Sequence, residues 1–120
     1  MAGIEGGRRG PESGGTWARG NEVGQHRMAV QGMADQVKEQ ATKGNKTVFE
    51  VLAELNWAFG LKYEVLQVLF RDVHEIVHKR GGERILKGNI KRIGFNETNV
   101  ELTLEDGTVI IDGIDQFLLE

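Results

Sequence analysis

Residues 99–105 alternate strictly between polar and apolar side chains. Successive side chains of a β-strand point to opposite faces, so this alternation predicts a strand whose valine and two leucines face a core. The pair Asp106-Gly107 follows and is a strong hairpin signal, because it leads into a second apolar run. Any fold of this chain must therefore contain an antiparallel hairpin and cover one of its faces.

The sequence predicts three antiparallel strands in this part of the chain, at residues 84–95, 98–105 and 108–112. Two apolar residues of the first strand occupy even-numbered positions, and the two that follow them occupy odd-numbered positions. A β-bulge near Gly94 would account for this change of face. Further along, Ile114, Phe117 and Leu118 recur at helical spacing and predict a short last turn against the sheet. We therefore expect a three-stranded β-meander.

Three segments before the meander have apolar residues at helical spacing. The segment 28–43 has a narrow stripe of small residues, so a helix there would be marginal without a partner. The segment 47–59 begins with a capping box formed by Thr47 and Glu50. The segment 61–80 is the third predicted helix, and two glycines end it. A single long helix bent at Gly60 is the alternative for the last two segments.

Glycine is concentrated at the start of the chain, where residues 1–27 hold 8 of the 17 glycines and only six apolar residues. Such a segment cannot bury enough apolar surface to offset the entropy of ordering it. We therefore expect a disordered Gly- and Arg-containing arm over residues 1–27. The expected fold class is α+β: residues 28–120 form a single domain in which two to three helices precede the β-meander.

The overall composition excludes several classes of protein. The chain has no cysteine, which rules out a disulfide scaffold and a cysteine-based zinc module. No apolar run approaches the roughly 20 residues that a membrane-spanning helix needs. The net charge of −3 gives no general signal for binding to nucleic acid. We expect a cytoplasmic protein with no membrane partner.

Trp57 departs from the apolar pattern of its predicted helix, because it projects beside two glutamates and away from the leucine face. Val68 similarly falls among acidic residues on the next helix. Exposed tryptophan is enriched at the centre of interfaces, so these two residues predict a partner or self-association surface, to which Met33 and Val37 can contribute. The alternative is that the 28–43 helix folds back and covers Trp57 within the chain.

Residues 74–78 read His-Glu-Ile-Val-His, which resembles the HExxH motif of the zincin metallopeptidases. On a helix, two histidines four residues apart can share one zinc ion, and the glutamate between them can act as general base. This resemblance implies His74 and His78 as zinc ligands and Glu75 as the base. The extended form of the motif has a third ligand where this chain has Arg84. The alternative is that both histidines are ordinary residues of the helix surface.

A basic strip lies at the beginning of the predicted sheet and consists of Arg84, Lys87, Lys91 and Arg92. Together with the arginines of the arm, it could serve a regulator that binds nucleic acid. The alternative is that Glu101 and Glu105 pair with these residues across the ladder and form a salt-bridged outer face.

The leading functional hypothesis is a small non-enzymatic protein that acts in protein–protein interaction, assembly or regulation and forms a homo-oligomer. It rests on the apolar excess of residues 47–80, where 19 of 34 residues are apolar. No cofactor is expected under this hypothesis. A nucleic-acid-linked regulator and a zinc-dependent hydrolase are the two alternatives.

Overall fold

The computed structural model describes the backbone of residues 15–120 and the side chains from residue 24 onward. The chain divides after Gly32 into two units. The described part of the first unit is the beginning of helix α1 (Gly15–Gly44). Helix α1 therefore starts well before the predicted helix at 28–43. Of the predicted arm, residues 1–14 lie outside the described residues, and the remainder lies in α1.

The second unit, Met33–Glu120, contains the end of α1 and all other described elements. Two helices follow α1, namely α2 (Val48–Glu54) and α3 (Phe59–Arg71). The strands are β1 (Glu75–His78), β2 (Glu83–Leu86), β3 (Ile90–Phe95), β4 (Asn99–Leu104), β5 (Val109–Gly113) and β6 (Phe117–Leu119). The predicted order of helices followed by antiparallel strands is confirmed, so the fold class is α+β.

Helix α2 begins with the predicted capping box. The Glu50 amide donates to the Thr47 hydroxyl at 3.2 Å, and the Thr47 amide donates to the Glu50 carboxylate at 2.9 Å. The Thr47 hydroxyl also donates to the carbonyl of Ile114 at 2.5 Å, which ties the start of α2 to the segment after β5. The helix ends at Glu54, before the predicted end at residue 59, so Trp57 lies in the connection to α3.

The predicted helix over 61–80 is wrong beyond Arg71, because the chain leaves α3 there and continues as β1. Val73, Ile76 and Val77 recur at helical spacing, whereas the burial of Ile76 and His78 on one side of β1 follows the period of two. The two glycines after residue 80 form the turn of the β1–β2 hairpin. Gly82 has a φ of +75°, a backbone conformation that favours glycine.

The first sheet has the strand order β2-β1-β6, with antiparallel pairing throughout. Strand β6 pairs with β1 so that Phe117 lies opposite His78. The prediction of a helical turn at this place is therefore wrong. Its three apolar residues were too few to distinguish a turn from a strand, and the pairing partner is distant in sequence.

The second sheet is the predicted three-stranded meander, with the order β3-β4-β5. The predicted strand over 84–95 is two strands, because a 3-10 helix at Lys87–Asn89 separates β2 in one sheet from β3 in the other. The β-bulge lies between Ile90 and Arg92 and not near Gly94. The turn between β4 and β5 is the predicted Asp-Gly hairpin, in which Gly107 has a φ of +91°.

The core of the second unit is formed by apolar residues of all the helices and both sheets. Its fully buried members include Phe49, Leu52, Leu66, Ile76, Val100, Leu102 and Phe117. Among the described residues, no helix combines the length and the apolar character needed to cross a membrane.

Candidate functional site

The predicted surface around Trp57 is partly covered within the chain. Trp57 is half-buried and, with Leu55, lines a cleft of about 140 Å³ against Gln36, Val37 and Gln40 of α1. Val37 is only 1% exposed, so its assignment to an open surface is wrong. Met33 and Val68 are half-buried. This arrangement agrees with the alternative in which the first helix packs against Trp57.

The HExxH interpretation fails because residues 75–78 form a strand and not a helix. Four residue steps separate His74 from His78, and an extended chain covers about 13 Å over four steps, so the two histidines are far apart along the chain direction. Two zinc ligands on neighbouring helical turns would instead lie side by side. The motif thus loses the geometry on which its resemblance to the zincins depended.

His78 is buried between two carboxylates. Its Nδ1 lies 2.8 Å from Glu83 Oε1, and its Nε2 lies 2.8 Å from Asp112 Oδ2. The ring stacks on Phe117 with 4.9 Å between the ring centroids. Arg80 completes this group, because its Nε donates to Asp112 Oδ2 at 2.7 Å. We call Arg80, Glu83, His78 and Asp112 the carboxylate–histidine cluster.

The cluster favours the protonated imidazole. A neutral imidazole donates from only one ring nitrogen, whereas both nitrogens of His78 face carboxylate oxygens. Burial alone would lower the pKa of His78, but the hydrogen bonds to Asp112 and Glu83 outweigh it and raise the pKa. The hydrogen bonds from Arg80 and His78 hold the pKa of Asp112 well below its ordinary value. The hydrogen bond with His78 likewise lowers the pKa of Glu83.

The cluster joins the two sheets, since His78 belongs to β1 and Asp112 belongs to β5. Both ring nitrogens of His78 are occupied from opposite sides, so Glu83 and Asp112 cannot approach a single ion together with that ring. Among the described residues, no group of three His, Asp or Glu side chains is arranged to hold a metal ion. The geometry therefore supports a structural connection between the sheets.

No spacing pattern in the sequence predicted this cluster. A usable signal was present, because Asp112 follows three apolar residues in a predicted strand and shares parity with Ile110. A carboxylate turned towards the inner face of a sheet needs a hydrogen-bonding partner. The pattern could not identify that partner, since His78 lies 34 residues earlier in the chain.

The structure divides the basic strip into two pairs. Arg84 forms ion pairs with Glu75 and Glu120, and Lys87 donates to the carbonyl of Arg71. Lys91 and Arg92 are exposed on β3. In the ladder Glu101 lies opposite Gly94, so it is not directly opposite a residue of the strip, and the alternative of a salt-bridged face with Glu101 and Glu105 stays a prediction. A nucleic-acid partner for the strip stays a prediction.

Strand β5 exposes two large apolar side chains on one face, Val109 at 49% and Ile111 at 60%. Within the described residues, β5 pairs with β4 alone, so its other edge is open. The strand has neither lysine nor proline, which are common devices for preventing edge-to-edge pairing. We call the outward side chains of Val109 and Ile111, with the open edge of β5, the β5 surface.

The sequence pattern predicted an interaction surface on the helices and did not indicate the β5 surface. The alternation of β4 showed which of its residues face the core. Val109, Ile110 and Ile111 are all apolar, so the sequence does not distinguish the outward from the inward positions of β5.

A comparison of the chain with protein families, curated proteins and solved structures finds no match.

Proposed function

We propose that this chain is a small non-enzymatic interaction protein that assembles with a second copy of itself. The observation that supports the proposal is the exposure of the large apolar side chains of Val109 and Ile111 on the edge strand of the second sheet. Covering the exposed half of each side chain would contribute on the order of 1 kcal/mol to association. An open strand edge adds backbone hydrogen bonds that a second strand can complete.

The same surface supports an interaction protein better than the two alternatives. The zinc-hydrolase alternative required His74 and His78 on one helical face, and β1 does not provide that face. The nucleic-acid alternative required four basic residues in one strip, and two of them are engaged by neighbouring groups. Self-association needs no group that is already engaged elsewhere in the molecule.

Sedimentation of the full chain tests the proposal. We expect the average mass to rise from that of a monomer to that of a dimer as protein concentration increases about a hundredfold. A chain that sediments as a monomer over the whole range would overturn the proposal. Repeating the experiment in high salt checks the nature of the contact, because an apolar interface is not weakened by screening of charges.

A further inference from the structure

We infer that the second copy docks on the β5 surface, with the two β5 strands paired antiparallel around a two-fold axis. This inference rests on the proposed self-association and identifies the surface that performs it. Antiparallel pairing of identical edges gives a closed, isologous contact in which each copy uses the same residues. The two meanders would then form one continuous sheet across the interface.

The backbone of β5 presents the groups that such pairing requires. At the end of the hairpin, the Leu104 amide donates to the carbonyl of Thr108 at 2.8 Å. Residues that bond to a neighbouring strand recur at every second position, so Ile110 and Asp112 continue the bonding to β4. The peptide groups of Val109 and Ile111 consequently point to the open edge, on which no described strand lies.

The register of the contact between the two β5 strands follows from the backbone groups that are already hydrogen-bonded within each copy. The carbonyl of Gly113 accepts a hydrogen bond from Gln116 at 3.0 Å, and its amide donates to the side chain of Asp112 at 2.8 Å. Gly113 is therefore not available to a second strand. Val109 and Ile111 remain, and pairing Val109 of one copy with Ile111 of the other satisfies the amide and carbonyl groups of both.

The side chains at this register form an apolar centre with polar neighbours. Val109 and Ile111 of the two copies lie together on one face, where each copy also presents Thr103 opposite Val109 and Glu101 opposite Ile111. An apolar centre with a polar rim is the usual arrangement of a protein interface. The contact would thus cover the exposed side chains that support the proposed function.

The charges near β5 are compatible with a second copy. Asp112 is the single charged residue of the strand, and its carboxylate is paired with Arg80 and His78. Within β5 itself, no unpaired carboxylate therefore faces the second strand. The open edge of the first sheet differs, because β2 presents Glu83 and Arg84, and charged residues on an edge oppose pairing with an identical strand.

A matched pair of variants tests the location of the contact. Ile111→Lys places a charge at the centre of the β5 surface, whereas Leu86→Lys makes the same change at an equally exposed position, 60% against 59%, on the edge of the other sheet. We expect Ile111→Lys to weaken the dimer at least roughly tenfold and Leu86→Lys to leave it unchanged. Circular dichroism verifies that both variants are folded.

The possible results separate this inference from the proposed function. A wild-type dimer that is insensitive to Ile111→Lys, or equally sensitive to Leu86→Lys, overturns the inference and leaves self-association intact. A monomeric wild-type chain overturns both. Species larger than a dimer overturn the closed two-fold contact, because they require a pairing that does not close.

The register can be tested by disulfide formation, since the natural chain has no cysteine. Opposed residues of a hydrogen-bonded antiparallel pair have Cα atoms about 5.5 Å apart, within the range that a disulfide spans. We expect a mixture of the Val109→Cys and Ile111→Cys proteins to form more cross-linked dimer than either protein alone. Preferential cross-linking of Ile111→Cys with itself would contradict the register, and Leu86→Cys measures the background from random collision.

Discussion

The two sheets of this protein each have three strands and differ in how they are assembled. The second sheet is a meander, so each of its strands pairs with the strand next to it in the sequence. The first sheet consists of the β1–β2 hairpin and β6, which returns from the end of the described chain to pair with β1. Local pairing can be recognised from a sequence pattern, whereas a returning strand can be identified only from the assembled structure.

The sheets also differ in what protects their edges. Strand β2 has charged residues at its edge, and Arg84 forms ion pairs there with Glu75 and Glu120. Strand β5 has its single charge on the inner face and apolar residues on the outer face. The contrast teaches that exposure of a large apolar residue has different meanings at the two edges. At the edge of β2 the exposed apolar side chain has charged neighbours, which oppose pairing with another strand. At the edge of β5 the exposed apolar side chains lie beside backbone groups that no charged residue protects.

The largest expected effect concerns the element that completes the first sheet. Phe117→Ala removes a fully buried side chain that stacks on His78, and should lower the free energy of unfolding by about 3–5 kcal/mol. Urea unfolding measures this change. Leu118→Ala, at the half-buried neighbouring position, is the control and should cost less.

Urea unfolding of a second variant tests whether the two sheets unfold together. Leu102→Ala removes a fully buried side chain from the second sheet, with an expected cost of about 2–5 kcal/mol. If the sheets form one cooperative unit, both variants shift a single transition observed by all probes. Two separate transitions in either variant would show that the sheets are independent.

The hairpin turns of the two sheets should be equally sensitive to loss of glycine. Gly82→Ala and Gly107→Ala each place a side chain at a positive φ, which should cost about 1–2 kcal/mol. Gly88→Ala is the control, because a Cβ at that position meets no atom within 4 Å and its φ is not positive. A loss of stability for Gly88→Ala as large as for the other two would contradict this explanation.

The sequence predicted the second sheet better than the first for a physical reason. The alternation of β4 and the Asp106-Gly107 turn are local, and they determine the β4–β5 hairpin without information from the rest of the chain. Val73, Ile76 and Val77 have the spacing of a helix, and the pairing of β1 with β6, which is distant in sequence, makes this segment a strand. The capping box at Thr47 was predictable for the same reason as the hairpin, since its groups are three residues apart.

The candidate sites were less predictable than the fold. The partners of His78 are 5 and 34 residues away, so no spacing rule brings them together. Trp57 was predicted to lie on a helix, but α2 ends before this residue. The contact of Trp57 with α1 depends on tertiary packing, which the sequence pattern does not show. The β5 surface could not be found because its exposure depends on which strand lies at the edge of the sheet.

The link between α2 and the segment after the second sheet should give a smaller effect. Thr47→Ala removes the helix cap and the hydrogen bond to the Ile114 carbonyl, and should cost about 1–2 kcal/mol. Thr47→Ser retains both hydrogen bonds and is the control. Equal destabilisation by the two variants would show that the methyl group of Thr47, and not its hydroxyl, is the important part.

The smallest expected effect is the pH dependence of the contact between the sheets. The pKa of His78 is raised above 6.5, so its stabilisation is complete below pH 6.5 and is lost as the pH rises through the folded-state pKa. The pKa of Glu83 is lowered from 4.5, so its contribution is complete above pH 4.5 and is lost on acidification. Asp112 follows the same direction as Glu83. The cluster should stabilise the protein most between those limits.

Urea unfolding at several pH values measures this dependence. We expect His78→Gln to remove the loss of stability that the wild-type protein shows above pH 6.5. His74→Gln changes an exposed histidine outside the cluster and should retain the wild-type profile. A wild-type profile in His78→Gln would mean that another group is responsible.

The position of His78 has a consequence for the heat of folding. Near neutral pH the unfolded chain leaves this imidazole mostly neutral, whereas the folded cluster raises its pKa and retains the proton. Folding therefore takes up part of a proton, which the surrounding buffer must release. The calorimetric enthalpy of folding should consequently change with the ionisation enthalpy of the buffer, even though the protein and its contacts are the same in every solution.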